Sequence, residues 1–409
     1  MTKTPKTSIT RRRFVGRAAL ATGALAGGFP AVLRAQAPAP VKIGLIHPVT
    51  GFLAFSGNQC RTGCQMAIAE INGAGGIKGL GGAKIEALLG DAQSKPEIGA
   101  AEVEKMHEAG AHAFSGCFSS AIGLAATQAA AKYNLPFSID VGVSDRLVQR
   151  GLKNVFRFSD GYGRISQDAV KNLDAINKAA GSPVKSAILV HEESEFGTGT
   201  AKLMEAELPK IGIEVKETIK HANPTLNFDN VALRIRALKP DLIVPSDYQN
   251  EYVLLARTLR QQKLEPNWYS VLGGGFNLKF VKETPDIAEY LMDFNHWYNP
   301  KDARALAMRK AVEAQNLFFT FEIYLSYYSI KLLADAFDRA KSTAPDAVNA
   351  ALAASTFSDH FMPYGPTKFV DGQNVGSRAV ATQAIKGDIA VVYPAEYAQQ
   401  KPVFPRPKA

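Results

Sequence analysis

The feature that most constrains this chain is a rhythm: for about 250 residues, short β-branched or apolar runs alternate with stretches of helical periodicity. Residues 41–46, 84–89, 111–117 and 136–139 read as strands, with helices at 58–72, 96–109 and 120–133 between them. After 156–158 the pattern starts again, with strands at 185–190, 214–219, 242–244 and 269–272 and helices at 198–210, 231–238 and 251–262. Alternation of this kind implies right-handed crossovers and parallel sheets, so the expected fold is α/β, with two sequential doubly wound lobes. From about residue 288 the order changes to a strand at 289–294, helices at 303–315 and 322–341, and a tail rich in Pro, Gly and Tyr. Such a tail cannot fold alone and is expected to return and close both lobes. The expected division is 41–158 with about 288–366 in lobe 1, and 159–287 with about 367–409 in lobe 2.

The chain of 409 residues carries 47 basic and 38 acidic residues, a formal +9 that invites a nucleic-acid reading. The excess sits at the extreme N-terminus. Residues 1–37 hold seven Lys or Arg and no acid, and without them 40 basic residues face 38 acidic ones, a body of +2. So balanced a body offers little counterion-release free energy, and no nucleic-acid partner is expected. Arg11-Arg12-Arg13-Phe14 precedes a mild apolar run over 18–33, broken by Gly and Pro, and then Ala35-Gln36-Ala37. Basic segment, apolar segment and small-x-small site in that order define an export signal over 1–37, and the paired arginines resemble the twin-arginine type. The run is too short and interrupted for a membrane anchor, so the mature body is expected in the periplasm.

Little in the chain points to bond chemistry. No G-x-S-x-G elbow is present, and the seven histidines are scattered without ligand spacing, so neither a catalytic residue nor a metal is assigned, and no cofactor. Cys60, Cys64 and Cys117 form a weak disulfide framework and read as buried thiols. The glycine cluster over 73–82 follows a helix rather than opening one and reads as a loop, whereas Gly273-Gly274-Gly275 after a strand would let backbone approach a small ligand.

The strongest local signal is Gly116-Cys117-Phe118-Ser119-Ser120, between the third strand and its helix. Two hydroxyls at a helix N-terminus, beside unpaired amides, suit a carboxylate or carbonyl oxygen, and open α/β sheets bind ligands at that rim. The competing reading is that Ser119 is a helix cap and nothing more.

Several stretches in shared order resemble the periplasmic substrate-binding proteins of the branched-chain amino acid and amide ABC transport family. Residues 41–51, ending Pro48-Val49-Thr50-Gly51, are similar to its opening strand and turn, and Ala69-Glu70-Ile71-Asn72 through Ile77 to its "EINAAGGI" stretch. Gly90-Asp91-Ala92, Ser119-Ser120, Glu195-Phe196-Gly197-Thr198-Gly199 and Asn227-Phe228-Asp229 follow in register. The resemblance implies two α/β lobes joined by a three-stranded hinge, type I in the family's terms, in a monomer that closes on one small solute and hands it to an ABC permease. It also implies a site. The first lobe is expected to present Phe55 or Ser56, Ser119, Ser120 and the turn from Asp140 through Gly142 to Val143; the second, Phe196, Tyr248 and the loop around Gly274.

Two departures bear on the ligand. Amino-acid-binding members place a glutamate in the loop matching 272–277, where this chain has only glycines, and Phe196 replaces the usual tyrosine. A buried ammonium without an acid is costly, so either another carboxylate serves, with Glu322 ahead of Asp140 and Asp160, or the ligand has no amine. Branched or aromatic acids would fit walls of Phe55, Phe196, Tyr248 and Phe318 or Phe319, and the ligand stays open. A ligand-sensing module and an exported hydrolase are the alternatives.

Overall fold

In the computed structural model, which describes residues 38–407, two α/β lobes form one compact body. The export-signal reading falls on 1–37, outside the described residues. The first lobe opens with β1 (Val41–His47), α1 (Ala54–Gly73), β2 (Ile85–Asp91), α2 (Pro96–Glu108) and β3 (Ala113–Gly116). It continues with α3 (Ser120–Ala131), β4 (Phe137–Ile139) and β5 (Val155–Arg157). The second begins with α4 (Tyr162–Ala179), then β6 (Ser186–Glu192), α5 (Glu195–Glu207), β7 (Glu214–His221) and α6 (Asp229–Leu238). After these come β8 (Leu242–Ser246), α7 (Gln249–Gln261), β9 (Asn267–Val271), the short helices α8 (Leu278–Glu283) and α9 (Pro285–Ala288), and β10 (Met292–Asn295).

The remaining elements are shared out. Helices α10 (Ala303–Glu313), α11 (Phe321–Ala340) and α12 (Pro345–Ala353) precede four strands, β11 (Phe369–Val370), β12 (Gln373–Asn374), β13 (Val380–Ile385) and β14 (Asp388–Tyr393). The first sheet runs β2-β1-β3-β4-β5-β12-β11 and the second β7-β6-β8-β9-β10-β13-β14. Each therefore repeats the order second, first, third, fourth, fifth, with its five leading strands parallel and an antiparallel pair in its tail section. The chain crosses between lobes three times, at 158–161, 296–320 and 375–379.

Sheet membership departs from the sequence division at two places. Strand β10 pairs in parallel with β9, Met292 opposite Tyr269, and stays in the second sheet, because it is the fifth strand of that βα run rather than the start of a new one. The pair β11–β12 returns to the first sheet through Gln373 opposite Arg157.

Packing between α1 and α11 closes one face of the first lobe. Gly63 allows it, since a Cβ there would run into the carbonyl oxygen of Ile323. Beneath α11 the buried hydroxyls of Ser115, Ser329 and Ser138 bond in series at 2.8 and 2.7 Å and tie the helix to β3 and β4. Cys60, Cys64 and Cys117 are buried free thiols in the same lobe, as expected from the sequence. No helix among the described residues is long and apolar enough to cross a membrane.

Candidate ligand-binding cleft

Both lobes turn the carboxyl ends of their parallel strands toward a common cleft, and in each a non-glycine residue is held in the left-handed region at that rim. Phe118, after β3, has φ +62°, and Leu272, after β9, has φ +58°. Such a conformation costs roughly 1–3 kcal/mol and persists only where the surroundings fix it. For Phe118 the clamp is Asp140, whose carboxylate accepts from the amides of Phe118 (3.1 Å) and Val141 (2.6 Å), from Ser326 Oγ (2.9 Å) and from His47 Nε2 (2.8 Å). Burial pushes this carboxyl upward, but its bonds outweigh that and leave it below the usual range, while burial lowers the imidazole. Asp140 is therefore an ionised carboxylate whose two oxygens already serve four donors.

The second rim is built the same way. Asp293 takes Ser270 Oγ at 2.7 Å and the Gly273 amide at 2.9 Å, and Leu272 and Gly274 donate to the carbonyls of Phe294 and Asp247, each at 3.0 Å. Burial pushes Asp293 up to about 7. Gly274 is required where it stands, because a Cβ would lie 2.9 Å from the Asp247 carbonyl oxygen.

Between the rims lies a small cavity. The first lobe lines it with Phe118, Ser120, Val141, Val143 and Phe321, the second with Phe196, Tyr248, Leu272, Gly274 and Asn295, and the second crossing with His296. Its volume is about 30 Å³, against the roughly 300–1,000 Å³ of a small-molecule site, so entry of a solute requires the lobes to part. They are drawn together by contacts across the cleft. Tyr248 Oη donates to Ser119 Oγ at 3.4 Å, Ser144 Oγ and Arg146 Nη1 donate to Glu195 at 2.7 and 2.9 Å, and Asn250 reaches the Phe52 carbonyl at 3.3 Å.

Ser119 is the N-cap of α3 but makes no side-chain cap bond. Its hydroxyl meets Tyr248, itself the N-cap of α7, and these two caps hold equivalent places, each opening the helix after the third strand of its sheet. The reading of Ser119 as a cap alone thus loses its bond. Ser120 Oγ accepts from the amides of Val143 and Ser144 at 3.2 and 3.1 Å, which leaves its own proton free to donate. The rings of Phe118 and Phe196 stand 5.6 and 5.2 Å from that of Tyr248.

Six of the expected residues meet at this place: Ser119, Ser120, Val143, Phe196, Tyr248 and Gly274. Four others lie apart from the cavity lining. Gly142 gives its carbonyl to Arg157 at a marginal 3.5 Å; Phe55 lies half-buried under Lys279 Nζ at 5.8 Å; Ser56 is buried on α1; and Asp140 serves as the clamp just described. Asp160 lies at another face of the first lobe, 3.5 Å from Arg164, and burial lifts it to about 7. Glu322 follows the lining residue Phe321 but is not itself in the lining. It is fully buried beside the hydroxyls of Thr320 and Ser56, neither oxygen makes a hydrogen bond of normal geometry, and burial pushes it up to about 7. Phe118, Leu272, Asn295, His296 and Phe321 were not assigned from the sequence. Their only sequence signal is adjacency to a strand end or helix start.

Among the described residues His47, Cys60 and Asp140 bring possible metal-ligand atoms within 4.8 Å of one another. Burial drives the Cys60 thiol well above its usual range, and His47 and Asp140 already bond each other, so this trio is a protonated thiol beside a hydrogen-bonded pair.

With this geometry in hand, comparison with known proteins is specific. The chain is 26% identical over 391 residues to "Leu/Ile/Val-binding protein homolog 7" of Brucella melitensis, covering 92% of this chain and 96% of that one. The substrate binding protein LivJ of Streptococcus pneumoniae, solved in complex with isoleucine, superposes with a TM-score of 0.75 at 22% identity, covering 87% of this chain and 100% of that one. A solute binding protein of an ABC transporter from R. palustris, solved in complex with benzoate, gives 0.77 at 20% identity, covering 86% and 95%. The family model described as "Periplasmic binding protein" matches residues 40–388, nearly the whole described body, and the chain therefore belongs to the periplasmic binding protein family.

Proposed function

We propose that this protein is the periplasmic solute-binding component of an ABC importer and that its solute carries a carboxylate held at the N-terminus of α3. The observation that carries the anchor is the pair Ser119 and Tyr248. Two helix caps from different lobes bring their hydroxyls to 3.4 Å, and a carboxylate between them would accept from both and from Ser120. Each helix adds the positive end of its macrodipole. These contacts exist together only when the lobes are closed, so binding and closure are one event, and the closed body is what a permease would receive. The apolar remainder of the solute would lie against Phe118, Phe196, Val141 and Leu272. The relatives named for Leu, Ile and Val and the neighbour holding benzoate support a small solute that carries a carboxylate.

The cleft supports binding rather than turnover. Ser119 Oγ has a phenol beside it where a hydrolase would need a base. Export by the twin-arginine route, suggested by Arg11-Arg12-Arg13-Phe14, belongs to this proposal. The test is calorimetric titration of the purified protein with aliphatic and aromatic carboxylates and their primary amides. One-to-one binding of a carboxylate, lost in its amide, is expected; amides that bind as well as the acids would refute the anchor.

A further inference from the structure

The proposed anchor accounts for one end of a solute, and the cavity lining carries a polar group that the anchor does not use. His296, on the crossing that follows β10, lines the cavity at 2% exposure, and its Nε2 is buried with no hydrogen-bond partner among the described residues. A buried nitrogen left without a partner is costly, and a ligand group that meets it recovers that cost. The cavity lining contains no Asp or Glu. The nearby acids are engaged inside the protein: Asp140 and Asp293 clamp the two rims, and Glu192 takes Ser194 and the amide of Gly197. Glu322, beside the hydroxyls of Thr320 and Ser56, lies outside the lining.

We propose that His296 reads a hydroxyl group on the solute, and that the preferred solute is a hydroxylated aromatic carboxylate rather than an α-amino acid. This rests on the carboxylate anchor at α3. A neutral imidazole nitrogen is a donor or an acceptor according to its tautomer, and a hydroxyl can complement either. Burial and the neighbouring Arg157 cation hold His296 down at about 3, so it stays neutral at any pH the periplasm meets, and the same cation opposes an ammonium. The aromatic body follows from the four rings of Phe118, Phe196, Tyr248 and Phe321, which line the same cavity as His296 and Ser120. An α-ammonium placed there would be buried without a counter-charge.

The experiment is calorimetric titration of the purified full-length chain with benzoate, its three monohydroxy isomers and leucine, repeated on H296F and H296N. One hydroxy isomer is expected to bind about 10-fold or more tighter than benzoate, because a site that bonds a hydroxyl strongly rejects the analogue lacking it. His296→Phe should erase that preference, so that benzoate and its hydroxy isomers bind the variant alike, and His296→Asn, which can still bond a hydroxyl, should keep part of it. If every hydroxy isomer matches benzoate within about twofold in the parent protein, if the preference survives in a folded H296F, or if leucine binds tightest, the inference is overturned. Should no carboxylate bind while amides do, the α3 anchor falls as well, a result distinct from equal binding of benzoate and its hydroxy isomers.

Discussion

Replacing Ser119 and Ser120 separately by alanine distinguishes a ligand anchor from a structural support, because the two neighbouring hydroxyls have different work within the protein. Ser120 Oγ accepts from the buried amides of Val143 and Ser144, and both lose their partner in Ser120→Ala. At roughly 1–3 kcal/mol for each orphaned group, partly relieved by relaxation, the variant should lose about 2–4 kcal/mol of folding stability. Among the described residues Ser119 Oγ makes no cap bond and its hydrogen-bond partner is Tyr248 Oη, at 3.4 Å. Ser119→Ala should therefore leave stability within about 0.5 kcal/mol of the parent. Its cost should appear in binding, because a donor to a carboxylate contributes about 1.5–3 kcal/mol, which corresponds to about a 10- to 150-fold weaker Kd. Urea denaturation followed by circular dichroism measures the first quantity and calorimetric titration with a binding carboxylate the second. If Ser119→Ala lowers the unfolding free energy as much as Ser120→Ala while its Kd is unchanged, Ser119 is a support and the anchor is misassigned.

Two further perturbations have outcomes set by packing and burial. Glu322, fully buried and pushed from its ordinary 4.5 to about 7, holds its proton in the folded state at pH values where the unfolded chain has released it, so stability falls as pH rises from about 4.5 to 7 and is level above. Glu322→Gln removes this dependence, and its advantage over the parent should grow across that window to at most about 3 kcal/mol; parallel stability curves for the two proteins from pH 5 to 8 would contradict it. In Gly63→Ala the new methyl meets the Ile323 carbonyl, so α1 and α11 must separate at a cost of about 1–3 kcal/mol or more, read as a lowered urea midpoint; an unchanged midpoint would mean that the helices yield freely.

Most of the architecture was legible because parallel strands buried on both faces must be apolar runs and the helices between them must be amphipathic. Helix α4 was not read, although Ile165, Ala169, Val170 and Leu173 fall on one buried face. It starts at Gly161-Tyr162-Gly163 with no capping side chain of its own, and the Gly163 amide is taken instead by Asp145, distant in sequence. The strands β11 and β12 are two residues each and exist through pairing with β5, a long-range register that no local pattern encodes. In the cleft, Ser119 and Gly274 were legible because each follows a strand end, where the fold class puts ligands, whereas Phe196 and Tyr248 were expected from the family resemblance alone. His296 was hidden because a lone histidine on a crossing segment has no periodicity. Asp140 was misplaced because a carboxylate in a binding turn looks the same in sequence whether it faces the solute or bonds the backbone behind it.

The repeated strand order has one more consequence. Since Ser119 and Tyr248 open the corresponding helix of each half, the folded chain sets two electropositive poles nose to nose, and nothing among the cavity-lining side chains is negative enough to reconcile them. In the proposed reading, a carboxylate of the guest becomes the mortar between them. A seat for that group would thereby be set by the duplicated topology before any pocket residue is chosen.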